Sequence, residues 1–377
     1  MPNVPWSGAR YQSRERSDQR NPPETVFRSM KVAVLSYPML FQTKGGLQIQ
    51  VLETIAALNK LGCDARLIDP NRELMTEYNL VHLFSAIAGN VRIVEFARLL
   101  SVPVVLSPLI RPYWTRSLGR RARLGERLVG RLTNWDVRTE YREIHSALAN
   151  SDRIVALGIT EKQCIRDAFG IAAEAIEIIP NGIPSRFFNA DHEPFLHAHK
   201  LSPGFVLNVA SIDPHKNQLA IAQALSGSQR QFVLIGECHG PNRAYLDQIL
   251  AMPNTRYIGS MEYDDPLLAS AYAAAGVFCL TSHSEVMPLT VLESLAAGTP
   301  AVMTANHCMD TAGMEDCIIE VDPQSSQAIL AAVERLLSTP PSAERCRQSV
   351  ASLTWEDVGR RLMACYEMVL ATRAARS

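Results

Sequence analysis

Several common features are missing from this chain of 377 residues, and each absence argues against a class of protein. No stretch of about 18 or more uncharged apolar residues occurs, so no transmembrane helix is expected. The N-terminus has no apolar core of the kind that a secretory signal contains, and we therefore expect a cytoplasmic protein. No G-x-G-x-x-G follows the first predicted strand, which argues against a Rossmann oxidoreductase.

Paired cysteines are also missing. The eight cysteines stand at positions 63, 164, 238, 279, 308, 317, 346 and 365, and none belongs to a C-x-x-C pair. This spacing predicts free thiols in a reducing compartment rather than disulfides or a metal site.

The net charge is only −1, but the charge is unevenly distributed along the chain. Residues 1–190 carry 25 Lys and Arg against 18 Asp and Glu, whereas residues 191–377 carry 12 against 20. The first half is therefore the one expected to face an anionic surface or acceptor.

Short apolar runs alternate with helical patterns, and the alternation restarts after residue 182. Because strand–helix alternation is typical of parallel sheets with crossover helices, an α/β fold with two Rossmann-like units is predicted. The predicted strands are 31–37, 65–68, 80–84, 102–106, 153–157 and 176–179 in the first unit, and 205–209, 231–235, 255–258, 277–280, 301–304 and 318–321 in the second.

Two glutamates, Glu285 and Glu293, stand eight positions apart around a predicted helix start. Pro288 lies where the helix can begin, and Gly298 where it would stop. A helix N-terminus presents unpaired N–H groups and a positive dipole end. We expect this place to suit a diphosphate on the amides and sugar hydroxyls on the carboxylates.

The pattern resembles the E-x7-E segment of retaining glycosyltransferases of family 4 (glycosyl transferase group 1), which have the GT-B fold. Further segments resemble motifs of that family in the same order: KGGL at 44–47, IPNGIP at 179–184, VASIDPHKN at 209–217 and AAGTP at 296–300. The resemblance covers roughly residues 30 to 370. It implies two Rossmann-like domains that face a cleft.

The expected domain bounds follow from this resemblance. Residues 1–27, which are polar and proline-containing, are predicted to be a disordered leader. We expect an N-terminal acceptor domain at 28–184 and a C-terminal nucleotide-sugar domain at 185–353. Residues 354–377 should form a helix that crosses back to the N-terminal domain, since TWED at 354–357 has the spacing of a capping box.

The resemblance also implies roles for individual residues. Lys216 should contact the diphosphate and Glu285 the donor sugar, and these two are the predicted catalytic residues. Glu293 should bind the ribose hydroxyls. The full predicted donor-binding set is Gly45, Gly46, Ser211, Lys216, Glu285, Leu289, Thr290, Val291 and Glu293. The alternatives are an ordinary turn at the glycines, a solvated Lys216, a Glu285 that only complements the helix dipole, and a solvated Glu293.

Three departures from the family pattern stand out. The family has Gly-Arg where this chain has Ala210 and Ser211, and serine offers one neutral hydrogen bond in place of a charged fork. Val286 follows the first glutamate in place of glycine. Residues 104–109 contain no histidine, although many family members have one there.

Further residues are predicted to lie on an acceptor or membrane side. His82 matches a strand-end histidine of the family, with a buried core histidine as the alternative. Seven arginines and one acid between residues 111 and 131 predict a basic amphipathic helix that docks on anionic lipid or a lipid-diphosphate acceptor. A solvated arginine face is the alternative, and nucleic acid is disfavoured because no binding motif accompanies the arginines. The arginines predicted on this side are Arg111, Arg116, Arg120, Arg121 and Arg123.

The expected activity is transfer of a sugar from a UDP- or GDP-sugar to a glycan or lipid-linked acceptor, with cell-surface polysaccharide as the destination. The resemblance implies no metal and no cofactor beyond the nucleotide-sugar substrate. We expect the protein in the cytoplasm, and the basic helix adds the expectation of peripheral attachment to the cytoplasmic face of the membrane. The alternatives are a GT-B protein that binds nucleotide sugars without transfer and, against the motifs, a sugar-nucleotide epimerase.

Overall fold

The computed structural model describes residues 30–42, 44–134 and 137–375, so the predicted leader at 1–27 lies outside the described residues. The first sheet contains six parallel strands in the order β2-β1-β3-β4-β5-β6. Most of its strand residues are buried, as expected for a parallel sheet with both faces covered. The strands are β1 (Lys31–Leu35), β2 (Asp64–Leu67), β3 (Leu80–Phe84), β4 (Val104–Ser107), β5 (Arg153–Ala156) and β6 (Ile176–Ile178).

The helices of the first domain connect these strands and cover the sheet. Helix ends follow local chemistry: Thr115 caps one helix by accepting a hydrogen bond from the Leu118 amide, and Gly170 ends another with φ 72°. The helices are α1 (Gly46–Lys60), α2 (Val91–Leu99), α3 (Arg116–Leu132), α4 (Glu140–Asn150) and α5 (Ile159–Phe169).

The second sheet also contains six parallel strands, in the order β12-β11-β10-β7-β8-β9. Its strands are β7 (Val206–Val209), β8 (Phe232–Ile235), β9 (Thr255–Gly259), β10 (Val277–Leu280), β11 (Ala301–Thr304) and β12 (Ile318–Val321). The helices that follow the first domain are α6 (Ser185–Phe188), α7 (Glu193–His199), α8 (Gln218–Leu225), α9 (Arg243–Leu250), α10 (Pro266–Ala274), α11 (Leu289–Ala297), α12 (Ser326–Ser338), α13 (Ala343–Val350) and α14 (Trp355–Ala374).

Both sheets reverse their strand order at one point, and these points position the site. The reversal lies between β1 and β3 in the first sheet and between β7 and β10 in the second. Adjacent connections leave such a point in opposite directions and open a crevice at the carboxyl ends of the strands, where ligands of α/β proteins bind.

The chain passes between the two domains twice, and the two passages lie side by side. Ile183 on the first passage donates its amide hydrogen to the Leu353 carbonyl on the second, at 2.9 Å. Gly182 approaches Trp355 so closely that a Cβ atom on the glycine would lie 2.4 Å from the tryptophan amide nitrogen. Only glycine fits this contact without displacing one passage.

Helix α14 then packs against α1 of the first domain. Tyr366 of α14 contacts Nδ1 of His82 through its hydroxyl at 2.6 Å, and the other ring nitrogen lies 2.9 Å from the Ser107 hydroxyl. Arg373 pairs with Asp152 at 3.0 Å. The first domain is therefore completed by the last helix of the chain.

The α/β fold with two parallel sheets is confirmed, and each of the twelve predicted strands is present. Four have the predicted bounds, and the ends of the others shift by one or two residues. The two-residue shifts are at β4, which begins at Val104 rather than at residue 102, and at β1, which ends at Leu35 rather than at residue 37. Ser36 leaves the ladder because its hydroxyl donates to the Phe84 carbonyl at 2.9 Å. Within the described residues, none of the helices has the length and hydropathy that a membrane span requires.

Candidate functional site

A cleft of about 1050 Å³ opens between the carboxyl ends of the two sheets. Its walls come from both domains, so a ligand in it would contact both. The charged residues that line it are Lys44, Glu53, Arg111, Asp213, Lys216, Glu237, Glu262, Asp264, Glu285 and Glu293. Carboxylates outnumber cations on these walls, which makes each cation important for an anionic ligand.

Lys216 and Glu285 form an ion pair at the strand reversal of the second sheet. The Lys216 Nζ lies 2.7 Å from Glu285 Oε1, and both side chains are largely buried. Lys216 ends a 3₁₀ turn that follows β7, and Asp213 caps this turn by accepting from the His215 amide at 2.7 Å. Glu285 follows β10. Because β7 and β10 are neighbours in the sheet, their loops bring the two charges together.

The N-terminus of α11 faces the cleft with free amides. The amides of Leu289 and Thr290 donate to no acceptor in the described part of the chain, while that of Val291 donates to the Pro288 carbonyl at 3.2 Å. Val291 is also fully buried and does not line the cleft. The predicted donor set is therefore corrected: Val291 belongs to the core, because its amide already closes the first turn of the helix.

Glu293 lies one turn inside α11 and is buried, with 3% of its surface exposed. Its Oε2 accepts a hydrogen bond from the Tyr272 hydroxyl at 2.9 Å. Oε1 is buried and makes no hydrogen bond of normal geometry in the described structure, although the Tyr263 hydroxyl lies close enough to this carboxylate to stabilise its charge. Burial raises the pKa of Glu293 to about 7, although the hydrogen bond from Tyr272 acts in the opposite direction. The alternative of a solvated helix residue is wrong. An unpaired buried oxygen that borders the cleft is suited to a hydroxyl donor.

The glycine loop follows β1 and begins α1. Gly45 and Gly46 line the cleft, and a Cβ atom on either would meet nothing within 4 Å, so a ligand has room there. Lys44, next to them, forms an ion pair with Glu262 of the second domain. The loop thus spans the cleft mouth.

The three departures from the family pattern, at Ser211, at Val286 and after β4, can each be located in the structure. Ser211 lines the cleft, and its carbonyl accepts from the Gln218 side chain at 2.8 Å. Val286 has no positive φ, so the loop has no left-handed residue where the family has glycine. The segment after β4, which contains no histidine, places Arg111 in the cleft wall.

His82 does not lie on an acceptor side. It is 1% exposed, stacks on Phe84 at 4.3 Å between ring centroids, and does not line the cleft. Burial lowers the pKa of His82 to about 3, so it is neutral at physiological pH. The buried core histidine is the alternative that the structure supports, because both ring nitrogens already have partners in Tyr366 and Ser107.

The five arginines predicted on the acceptor or membrane side separate into two groups. Arg111 lines the cleft, whereas Arg116, Arg120, Arg121 and Arg123 lie on α3 outside it. Arg123 donates to the Tyr141 hydroxyl at 3.1 Å and so takes part in packing within the domain. The other three face solvent.

Several cleft residues were not predicted from the sequence, and Tyr263 and His215 are two of them. Tyr263 lines the cleft and stacks under Arg186, whose guanidinium lies 4.3 Å above the ring. His215 lines it too and contacts the Ser284 carbonyl through Nε2 at 3.0 Å. His215 stands inside a recognised motif next to Lys216 and could have been found. Tyr263 has no local signal, because it follows β9 in an unremarkable loop. Within the described residues, no cluster of three or more His, Cys, Asp or Glu is arranged to hold a metal ion.

Comparison with known proteins agrees with this geometry. Residues 190–352 match the family model of glycosyl transferases group 1. The match covers the part of the chain that contains the second sheet. It is 25% identical to the MMP alpha-(1->4)-mannosyltransferase of Mycolicibacterium hassiacum over 221 residues, which are 55% of this chain and 52% of that protein. The chain spans about half the length of the curated relatives that it matches.

Solved structures extend the likeness to the fold of the whole chain. Sucrose-phosphate synthase from Thermosynechococcus elongatus superposes with a TM-score of 0.72 at 17% identity, over 92% of this chain and 100% of that one. HepE of Anabaena, solved in complex with UDP and glucose, superposes with a TM-score of 0.66 at 14% identity, over 90% of this chain and 100% of that one. The GT-B fold is thereby confirmed.

The burial of Glu293 predicts a pH-dependent stability difference. Its folded pKa, about 7, lies above the usual value, so the stabilisation from the neutral acid is complete below about pH 4.5 and is lost as the pH rises through 7. Glu293→Gln cannot ionise. Its unfolding midpoint should therefore rise relative to wild type between pH 5 and pH 8, as measured by calorimetry.

The control is Glu367→Gln, the same substitution at an exposed position of α14, and the pH-dependent rise should be specific to Glu293→Gln. Glu161, whose pKa burial also raises to about 7, titrates in all three proteins and cancels in the comparison. A constant offset for Glu293→Gln would contradict the burial of a titrating carboxyl at this position.

Proposed function

We propose that this protein is a retaining glycosyltransferase that moves a sugar from a UDP- or GDP-sugar to a glycan or lipid-linked acceptor, in cell-surface polysaccharide synthesis. One observation carries the proposal: the free amides of Leu289 and Thr290 open beside Lys216, between two carboxylates, at a strand reversal. The match of residues 190–352 to the family model of glycosyl transferases group 1 supports it.

Each group has a chemical task in this proposal. The amides and the positive dipole end of α11 hold the diphosphate, with Lys216 as a neighbouring cation. Glu285, in the loop before the N-terminus of α11, accepts hydrogen bonds from the donor sugar's hydroxyls. The unpaired Oε1 of Glu293 accepts one from the ribose, which would satisfy a buried acceptor that lacks a partner in the described structure.

The proposed reaction is a single exchange at the anomeric carbon. The bond from that carbon to the diphosphate oxygen breaks, the acceptor oxygen bonds on the same face, and the departing phosphate takes the acceptor's proton. The protein then needs neither a nucleophile nor a base of its own. It contributes positioning and preorganised positive charge, which are large terms in group transfer.

One observation favours a second candidate, a nucleotide-sugar-binding protein without transfer. Lys216 is already paired with Glu285, and Ser211 offers only a neutral hydroxyl. The site would then stabilise the charge on a departing diphosphate no better than it stabilises the bound ground state, and binding alone would not accelerate transfer.

A panel of UDP-, GDP-, ADP- and TDP-sugars tests the proposal. One nucleotide class should raise the unfolding midpoint of the wild type and release free sugar slowly in the absence of acceptor. At about 100 times the dissociation constant, the gain in unfolding free energy is about 2.7 kcal/mol. Lys216→Ala should lose both effects, because the diphosphate loses a cation, whereas Lys31→Ala, an exposed lysine outside the cleft, should keep both.

Binding without sugar release, and without transfer to any glycan or lipid-linked acceptor, would favour the second candidate. No response to any nucleotide sugar would contradict both.

We also propose that α3 attaches the protein to the cytoplasmic face of an anionic membrane. The leucines at positions 124, 128 and 132 follow one another at four-residue spacing and are 64%, 62% and 78% exposed. Helix neighbours three or four positions away include Arg120, Arg121, Arg127 and Arg131, all solvent-exposed. The opposite side packs through small residues, with Gly119 against Ala168 of α5. Exposed leucines among arginines are typical of interfacial helices.

Co-sedimentation with vesicles tests this attachment. The protein should bind vesicles that contain phosphatidylglycerol and not vesicles of phosphatidylcholine alone. The triple replacement of Leu124, Leu128 and Leu132 by Ser should reduce binding about tenfold or more, since the apolar insertion is lost. Leu74→Ser, an equally exposed leucine outside α3, is the matched control. Equal binding by the triple variant would contradict insertion of α3.

A further inference from the structure

Among the described residues that line the cleft, one cation has no carboxylate partner. Among the lining residues in the described part of the chain, Lys216 is paired with Glu285 and Lys44 with Glu262. Arg111 makes no ion pair and no side-chain hydrogen bond with any described residue. Because carboxylates exceed cations on these walls, a guanidinium without a carboxylate partner is an available site for an anion.

The backbone of Arg111 is held firmly. The amide of Ile110, the preceding residue, donates to the buried Glu161 carboxylate at 2.7 Å, and the Arg111 carbonyl accepts from the Trp114 amide at 3.2 Å. The Ile110 carbonyl accepts from the Cys308 thiol of the second domain at 3.5 Å. The backbone of Arg111 is therefore fixed at a place where the two domains are in contact.

Cys308, which makes this contact from the second domain, is hydrogen-bonded to the loop that leads into α11. The Cys308 amide donates to the Val286 carbonyl at 3.0 Å, and the Glu285 amide donates to the Asn306 carbonyl at 2.9 Å. Burial lowers the pKa of the His215 imidazole, and the positive charge of Arg111 lies close enough to lower it further. Arg111 and the turn that holds Lys216 therefore line the same cleft, and Arg111 lies close enough to His215 in that turn to affect its charge.

We propose that Arg111 binds the diphosphate of the nucleotide donor and supplies, from the first domain, the guanidinium that the second domain lacks at Ser211. The inference rests on the proposed function, since it assigns a residue to that same site. A guanidinium binds a phosphate through two parallel hydrogen bonds, which a lysine in the same place cannot reproduce.

A diphosphate bound to Arg111 would also link the two domains. The diphosphate then bridges Arg111 of the first domain and the α11 amides of the second, so donor binding draws the domains together. The negative charge that develops on the departing diphosphate also meets a cation that is not already offset by a carboxylate.

Titration calorimetry with UDP, GDP and ADP tests the inference without an acceptor. For the nucleoside diphosphate that the wild type binds best, Arg111→Gln should weaken binding by about 10- to 100-fold, and Arg111→Lys should recover only part of the loss. The parent nucleoside without phosphates should bind both proteins equally. Arg72→Gln, an exposed arginine of the same domain outside the cleft, is the control and should bind like the wild type.

A second variant keeps the test specific. Adding Ser211→Arg to Arg111→Gln should restore diphosphate affinity, because the cation then comes from the second domain. A dissociation constant within twofold of wild type for Arg111→Gln would overturn the inference and leave the proposed function intact. A change confined to the KM of a phosphorylated acceptor would also overturn the inference alone. Failure of the wild type to bind any nucleoside diphosphate would overturn both.

Discussion

The reversal of strand order between β7 and β10 is the constraint on which the site depends. Connections leave the sheet in opposite directions at that point, so the loops after the two strands diverge and a crevice opens between them. One loop carries Lys216, and the other leads through Glu285 into α11. Their ion pair joins the two loops and holds the N-terminus of α11 in place. The free amides of this N-terminus then face the cleft rather than a neighbouring helix or strand.

The site includes features that do not favour the stability of the empty protein. Glu293 is buried with one oxygen unpaired, and the amides at the start of α11 lack acceptors in the described structure. Buried or enclosed polar groups without partners cost free energy, and a ligand that satisfies them recovers it on binding. The large apolar cores on both faces of each sheet offset this cost. Polar groups that are left unpaired in the cleft, within a fold that the cores stabilise, are typical of binding sites.

The fold could be predicted well from the sequence because its main signals are local. Apolar runs such as that at β3 mark buried parallel strands, and Pro288 with Gly298 marks the ends of α11. Prediction failed where position depends on packing between distant segments. His82 resembles a strand-end ligand, but Tyr366, 284 residues away, encloses it. Arg111 belongs by sequence to a basic helix, yet the turn before α3 directs it into the cleft.

Binding of a diphosphate at the N-terminus of α11 is the interaction on which the proposed function depends, and hydrogen–deuterium exchange at short labelling times tests it directly. The amides of Leu289 and Thr290 have no acceptor among the described residues and should exchange within seconds in the free protein. Saturation with the nucleoside diphosphate that binds best should slow both, and the parent nucleoside should not. Unchanged exchange at these two amides, with the nucleotide bound and protection elsewhere, would contradict this binding.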